Sequence, residues 1–248
     1  MFKTDGSVHH GGVENEKQTI QILNELKIYD SVVEKRGGTT QKADAVAGLK
    51  SLSIKRKKGI RNGSFDWFNT SKYNDCLDHN FEDFLSSIKE FRALPKEVIS
   101  DDEFISKVRN KFDELCNSCL DNLKNEQLKE VLYQGLVTAN TQFDVVVNDV
   151  ETHSLYIFPF EDHPAVDYIN KGYTISLQGT GKLSRKVLFS DGINVYDCGL
   201  RIRVTSNNGI NAFLGLSKAN KNSQVVIKLQ QDNIKQLLSS TNSQKYDY

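Results

Sequence analysis

GGTTQKADAVAGLKSLSIKRKKG, Gly37 to Gly59, carries the pattern that decides the fold of the first part of the chain. Asp44 stands at the start of a short apolar run, Ala43-Asp44-Ala45-Val46-Ala47-Gly48. A turn-like Leu49-Lys50-Ser51 follows, then the alternating Leu52-Ser53-Ile54-Lys55, which runs into a basic cluster. Side chains on a strand alternate with period 2, so Ser53 and Lys55 share one face and Ile54 takes the other. Pairing of the two runs as a hairpin brings Asp44 near Ser53 and Lys55. A carboxylate and an ammonium then converge beside a positive rim.

Upstream, Gly12-Val13-Glu14-Asn15-Glu16-Lys17 opens a helical pattern that continues through Ile20, Leu23 and Leu26. At helical spacing Val13, Glu16, Ile20 and Leu23 fall on one face, with Leu26 at its margin. Glu16 therefore faces inward with the stripe. A first-turn acid that complements the helix dipole explains an outward Glu better than an inward one. A strand over Ser31-Val32-Val33-Glu34-Lys35 follows.

These residues in this order resemble the PD-(D/E)XK nuclease superfamily, which includes most type II restriction endonucleases. The family pattern is an Asp, a spacer, and an acidic-x-Lys triplet on the neighbouring strand. Asp44 and Lys55 match, while Ser53 stands at the acidic position. Several branches add a helix opening Gly-x-x-x-Glu whose Glu reaches the metal site, and Gly12 and Glu16 match that spacing. The resemblance covers about the first 60 residues. It implies a central mixed β-sheet flanked by helices, and a site of Asp44, Glu16, Ser53 and Lys55 holding Mg2+. Asp66, in Phe65-Asp66-Trp67-Phe68-Asn69-Thr70-Ser71, is the alternative to Glu16 for the carboxylate missing at Ser53. That segment reads equally as an edge strand or loop packed over the core by Trp67.

The chain of 248 residues holds ample core for one large domain or two small ones. With 26% charged and 38% hydrophobic residues, it has the composition of a soluble globular protein. Its formal net charge is zero, so binding of nucleic acid has to come from local patches. Arg56, Lys57, Lys58 and Arg61, with Lys55, form the densest of these. No apolar run approaches a membrane span and no signal-peptide core opens the chain, so a cytoplasmic location is expected. Cys76-x-x-His79 and Cys116-x-x-Cys119 offer zinc-ligand side chains, but Cys116 and Cys119 fall on an apolar helical stripe. Core packing of reduced thiols is the expected state.

The fold class expected is α+β, restriction-endonuclease-like, with residues 1–248 as a single nuclease domain. Within it, residues 1–75 supply the catalytic core and residues 80–140 a helical insert. That insert includes a helix through Leu128, Val131, Leu132 and Leu136. Residues 143–238 form a β-rich half suited to DNA recognition, and 239–248 a frayed polar tail. In the β-rich half, Phe143–Val147 and Leu155–Pro159 read as strands and 164–170 as a short helix. Further strands are expected at 173–177, 186–189, 200–204, 212–214 and 225–229. Arg201 and Arg203 share a strand face, and Asn207 and Asn208 sit in the loop beyond. Such groups read base edges and grip phosphates, and they equally make an ordinary solvated sheet face.

The expected activity is Mg2+-dependent cleavage of double-stranded DNA, which the resemblance further specifies as a site-specific homodimeric restriction enzyme. The alternatives are a phage or viral recombination-repair nuclease, or a catalytically silent DNA-binding protein on the same scaffold. Ser53 favours the last of these.

Overall fold

The computed structural model describes residues 7–36, 43–57, 64–70, 125–179, 184–206, 223–230 and 233–248, with positions 110, 114, 117, 118, 120, 121 and 123. The chain divides into two compact units. The first comprises Met1–Phe65, Val137–Asp167 and Gln230–Tyr248; the second comprises Asp66–Leu136 and Tyr168–Leu229. The α+β expectation holds, with one mixed sheet, one antiparallel sheet and helices.

In the first unit, helix α1 (Ser7–Glu25) precedes β1 (Val33–Lys35), β2 (Ala45–Ala47) and β3 (Lys50–Lys57). The short strand β4 (Ser64–Thr70) pairs into the other sheet. Strands β5 (Phe143–Asp149) and β6 (Ser154–Pro159) then complete the centre of the first sheet. The hairpin expected from Asp44 to Lys55 forms, Ala45 pairing with Leu52 and Ala47 with Lys50, antiparallel, but the chain turns at Gly48-Leu49 and Lys50 and Ser51 are strand residues rather than turn. Gly48 turns the chain with φ 59°, where a Cβ would stand 2.9 Å from Ser31 Oγ. Both the left-handed φ and the close approach call for glycine.

Strand β3 pairs in parallel with β5, Ser53 opposite Val145 and Lys55 opposite Val147. Parallel neighbours require a crossover, and the chain between β3 and β5 supplies it. All seven residues of β5 are buried, as suits a central strand covered on both faces. Leu52 and Ile54 of β3 join Ile22 and Leu23 of α1, Val33, Ala45, Ala47, Val146, Leu155 and Ile157 in one apolar core.

The buried stripe of α1 differs from the one expected. Asn15, Thr19, Ile22 and Leu23 are buried, whereas Val13, Glu16 and Ile20 are half-buried. The cause is a polar partner on the sheet. Asn148 Nδ2 donates to Thr19 Oγ1 at 2.9 Å and to Asn15 Oδ1 at 3.3 Å. Buried polar groups need such partners, so α1 turns its polar positions 15 and 19 inward and leaves Glu16 on the flank.

The expected frayed tail is instead ordered. Helix α4 (Ile234–Ser240) leads to β11 (Gln244–Asp247), which pairs antiparallel with β6 and closes one sheet edge. Tyr246 and Tyr248 pack on the core, and Tyr248 Oη donates to Asn148 Oδ1 at 2.7 Å. The sheet order is β1-β2-β3-β5-β6-β11.

The second unit holds α2 (Asn125–Leu132) and a π-helical turn running from Tyr133. Leu128, Val131, Leu132 and Leu136 are all buried, matching the expected stripe. Helix α3 (Pro164–Asn170) begins in the first unit and ends in the second. Strands β7 (Thr174–Gln178), β8 (Arg185–Ser190), β9 (Val195–Ser206) and β10 (Ser223–Gln230) form the antiparallel sheet in the order β4-β10-β9-β8-β7. The strand expected at 212–214, and most of the insert at 80–140, lie outside the described residues. Among the described residues, no helix is long and apolar enough to cross a membrane.

Candidate functional site

Asp44 is fixed from three directions at the mouth of the hairpin. Its backbone N–H donates to Leu52 O at 2.9 Å, and Arg36 N–H donates to Asp44 O at 3.1 Å. Its side chain accepts the Ile54 N–H at Oδ2, 2.7 Å away. The carboxylate is therefore held against β3 between Ser53 and Lys55, the two residues flanking Ile54. Ser53 and Lys55 are half-buried while Leu52 and Ile54 are buried, which is the alternation expected of β3.

Charges of both signs gather there. Burial pushes the Asp44 carboxyl above its ordinary range, and the nearby Glu16 charge adds to the shift. Lys55, the Ile54 amide and Lys35 pull the other way without cancelling it. Glu16 and Lys35 form an ion pair, Oε2 to Nζ 3.1 Å. The sheet thus brings together Glu16 from α1, Lys35 from β1, Asp44 at the start of β2, and Ser53 and Lys55 from β3. Four of these five were legible in the sequence. In the sequence Lys35 carries only the signal of a strand residue.

The basic cluster divides. Arg56 is half-buried, and Lys58 and Arg61 lie outside the described residues. Lys57 does not serve as a rim cation, because it is ion-paired with Asp149, the residue opposite it on β5. The two side chains are only 14% and 5% exposed, too little for a phosphate contact. Burial alone would push the Asp149 carboxyl up, but the Lys57 hydrogen bond and charge, with the Glu151 amide, hold it below its ordinary range.

This pair supports a stability prediction. Asp149→Asn leaves a buried ammonium without its counter-charge, which costs roughly 3 kcal/mol. A carboxyl whose folded pKa is depressed stabilises the fold above its unfolded pKa, about 3.9, and loses that contribution as pH falls through the folded value. Urea denaturation is expected to show the deficit of Asp149→Asn at pH 7 and a smaller one at pH 3, below the unfolded pKa. A deficit of equal size at both pH values would remove the ion pair as its cause.

In the second unit, Arg201 and Arg203 lie on the half-buried face of β9, and Leu200 and Ile202 on its buried face. Arg201 is opposite Lys186 of β8 and opposite Lys228 of β10. Three cations therefore stand in a row across three strands. Like charges directly opposite one another destabilise a sheet. Lys186 is relieved by Asp197 at 3.0 Å. Asn207 and Asn208 lie outside the described residues, as do Cys76, His79, Cys116, Cys119 and the side chain of Asp66.

Among the described residues, no group of three or more His, Cys, Asp or Glu is placed to hold one metal ion. The oxygen donors around Asp44 are two carboxylates and the Ser53 hydroxyl. Magnesium prefers oxygen ligands, keeps several waters and is commonly held by one or two carboxylates, so this set fits it. A half-buried carboxyl whose pKa is raised first by burial and then by the charge of Glu16 is also an arrangement that a cation relieves.

No family model matches the sequence, and no curated protein or solved structure matches it.

Proposed function

We propose that the protein is a Mg2+-dependent endonuclease of the PD-(D/E)XK kind, cleaving phosphodiester bonds of double-stranded DNA. One observation carries this reading: the hairpin sets Asp44 against β3 between Ser53 and Lys55, with Glu16 close enough for its charge to act on the same carboxyl. Asp44 and Glu16 would hold the metal, with the Ser53 hydroxyl filling out the shell. When bound, magnesium supplies Lewis acidity at the phosphate and lowers the pKa of bound water.

The chain's own groups do the remainder. The Ile54 N–H keeps Asp44 in one orientation, so the carboxylate needs no rearrangement to act. The Lys55 ammonium orients the attacking water and offsets charge that develops on the phosphate oxygens. The row of Lys186, Arg201 and Lys228, with Arg203, sets cationic side chains side by side on one sheet face, which supports a polyanionic partner. By resemblance the enzyme is a site-specific homodimer, with a phage or viral recombination-repair nuclease as its nearest relative reading, and its reduced cysteines suit work in the cytoplasm.

Ser53 in the acidic position favours a second reading, a DNA-binding protein that has lost cleavage. Incubation with duplex DNA and magnesium, resolved on a gel, separates the readings. Discrete fragments support site-specific cleavage, a smear supports a non-specific nuclease, and retarded but intact DNA supports binding alone. DNA neither cut nor retarded refutes both. In the same assay Arg201→Ala is expected to weaken binding to a recognised duplex by about 1–3 kcal/mol and to a scrambled duplex by less. Equal losses on the two duplexes would reduce Arg201 to a phosphate contact.

A further inference from the structure

The ion pair between Glu16 and Lys35 does not belong to the chemistry assigned above. Lys35 lies at the end of β1, opposite Ala45, and so next to Asp44 in the sheet. Its ammonium is 3.1 Å from Glu16 Oε2, and its charge also reaches Asp44. Each of the two carboxylates thus has its own lysine, Lys55 acting most strongly on Asp44 and Lys35 bonded to Glu16. The side chains of Lys35 and Glu16 are 35% and 25% exposed, so solvent reaches the pair and it can exchange partners.

We infer that Lys35 is the resident counter-ion of the metal site, neutralising Glu16 in the metal-free protein and competing with the divalent cation for that carboxylate. This rests on the nuclease reading, in which Glu16 and Asp44 are the metal carboxylates. A cation held by both carboxylates must draw Glu16 from Lys35, so its binding gives up whatever the ion pair contributes. Partly exposed pairs contribute modestly, enough to weaken metal binding several-fold but not to prevent it. Lys35 then sets the magnesium concentration at which the site fills, and in the metal-free chain it offsets the Glu16 charge that acts on Asp44.

Titration calorimetry of magnesium into the full chain, without DNA, tests this. Lys35→Met is expected to bind magnesium about three- to fivefold more tightly than wild type. Lys35→Gln, which keeps polarity and loses charge, should do the same, and it serves as the second variant if Lys35→Met does not fold. Lys35→Arg preserves the pair and should stay near wild type. Glu16→Gln should bind more weakly than wild type, and adding Lys35→Met to it should produce no further tightening beyond a small general charge effect. If Lys35→Met and wild type bind alike while Glu16→Gln binds more weakly than both, the competition is refuted and the metal site stands. If Glu16→Gln binds as wild type does, or no form binds magnesium, the assignment of Glu16 fails and the role of Lys35 fails with it.

Discussion

Asp44→Asn is expected to abolish cleavage, by at least about a thousandfold, and at the same time to make the metal-free protein more stable rather than less. The two effects have one cause. Asp44 is the carboxylate that both the hairpin and β3 hold in place, through the Ile54 N–H at 2.7 Å. Burial, with Glu16 nearby, raises its pKa above the unfolded value. A group whose folded pKa is raised stabilises the fold below its unfolded pKa and loses that contribution as pH rises through the folded pKa. At neutral pH the ionised carboxylate is therefore a net burden on the fold. Asn keeps an oxygen for the Ile54 amide and removes the charge. Its melting temperature is expected to rise by about 2 °C without metal, and magnesium should no longer raise it. A lower melting temperature would mean that Asp44 serves the structure. Undiminished cleavage would sink the nuclease reading.

The hairpin was legible because its signals are local. The alternation from Leu52 to Lys55 marks the strand, and the spacing from Asp44 to Lys55 follows from pairing the two runs; the turn alone was misplaced, since Lys50 and Ser51 already belong to β3. The orientation of α1 was not legible, because it depends on Asn148, a residue 129 positions from its partner Thr19. Periodicity counts apolar residues, and Asn15 and Thr19 are polar groups buried through a long-range hydrogen bond. The ordered tail was hidden in the same way. Its polar residues read as solvent-exposed, although Tyr246 and Tyr248, two apart, carry the period of a strand that faces a core. Lys57 read as one more member of a basic cluster. Its partner Asp149 comes beside it only through the parallel pairing of β3 with β5.

The role of Lys55 can be separated from metal binding, because its charge acts on both. Lys55→Met is expected to lower the cleavage rate by about a thousandfold, the scale of losing one well-aimed cationic donor in a preorganised site. Its effect on the metal runs the opposite way. The Lys55 charge is the largest influence lowering the Asp44 pKa, so removing it raises that pKa further. Below the raised value protons compete better for the carboxylate. Above it the site carries one positive charge fewer and attracts a divalent cation more strongly. Magnesium affinity measured at pH 8 should therefore equal or exceed that of wild type, whereas on acidification it should fall off at a higher pH than in wild type. Folding should change little, since Lys55 is half-buried on a strand whose packing rests on Leu52 and Ile54. The decisive pair of measurements is single-turnover cleavage at saturating magnesium and metal affinity without DNA. A variant that loses both in proportion would make Lys55 a support for the metal site, and one that loses neither would leave the catalytic ammonium to be found elsewhere in the chain.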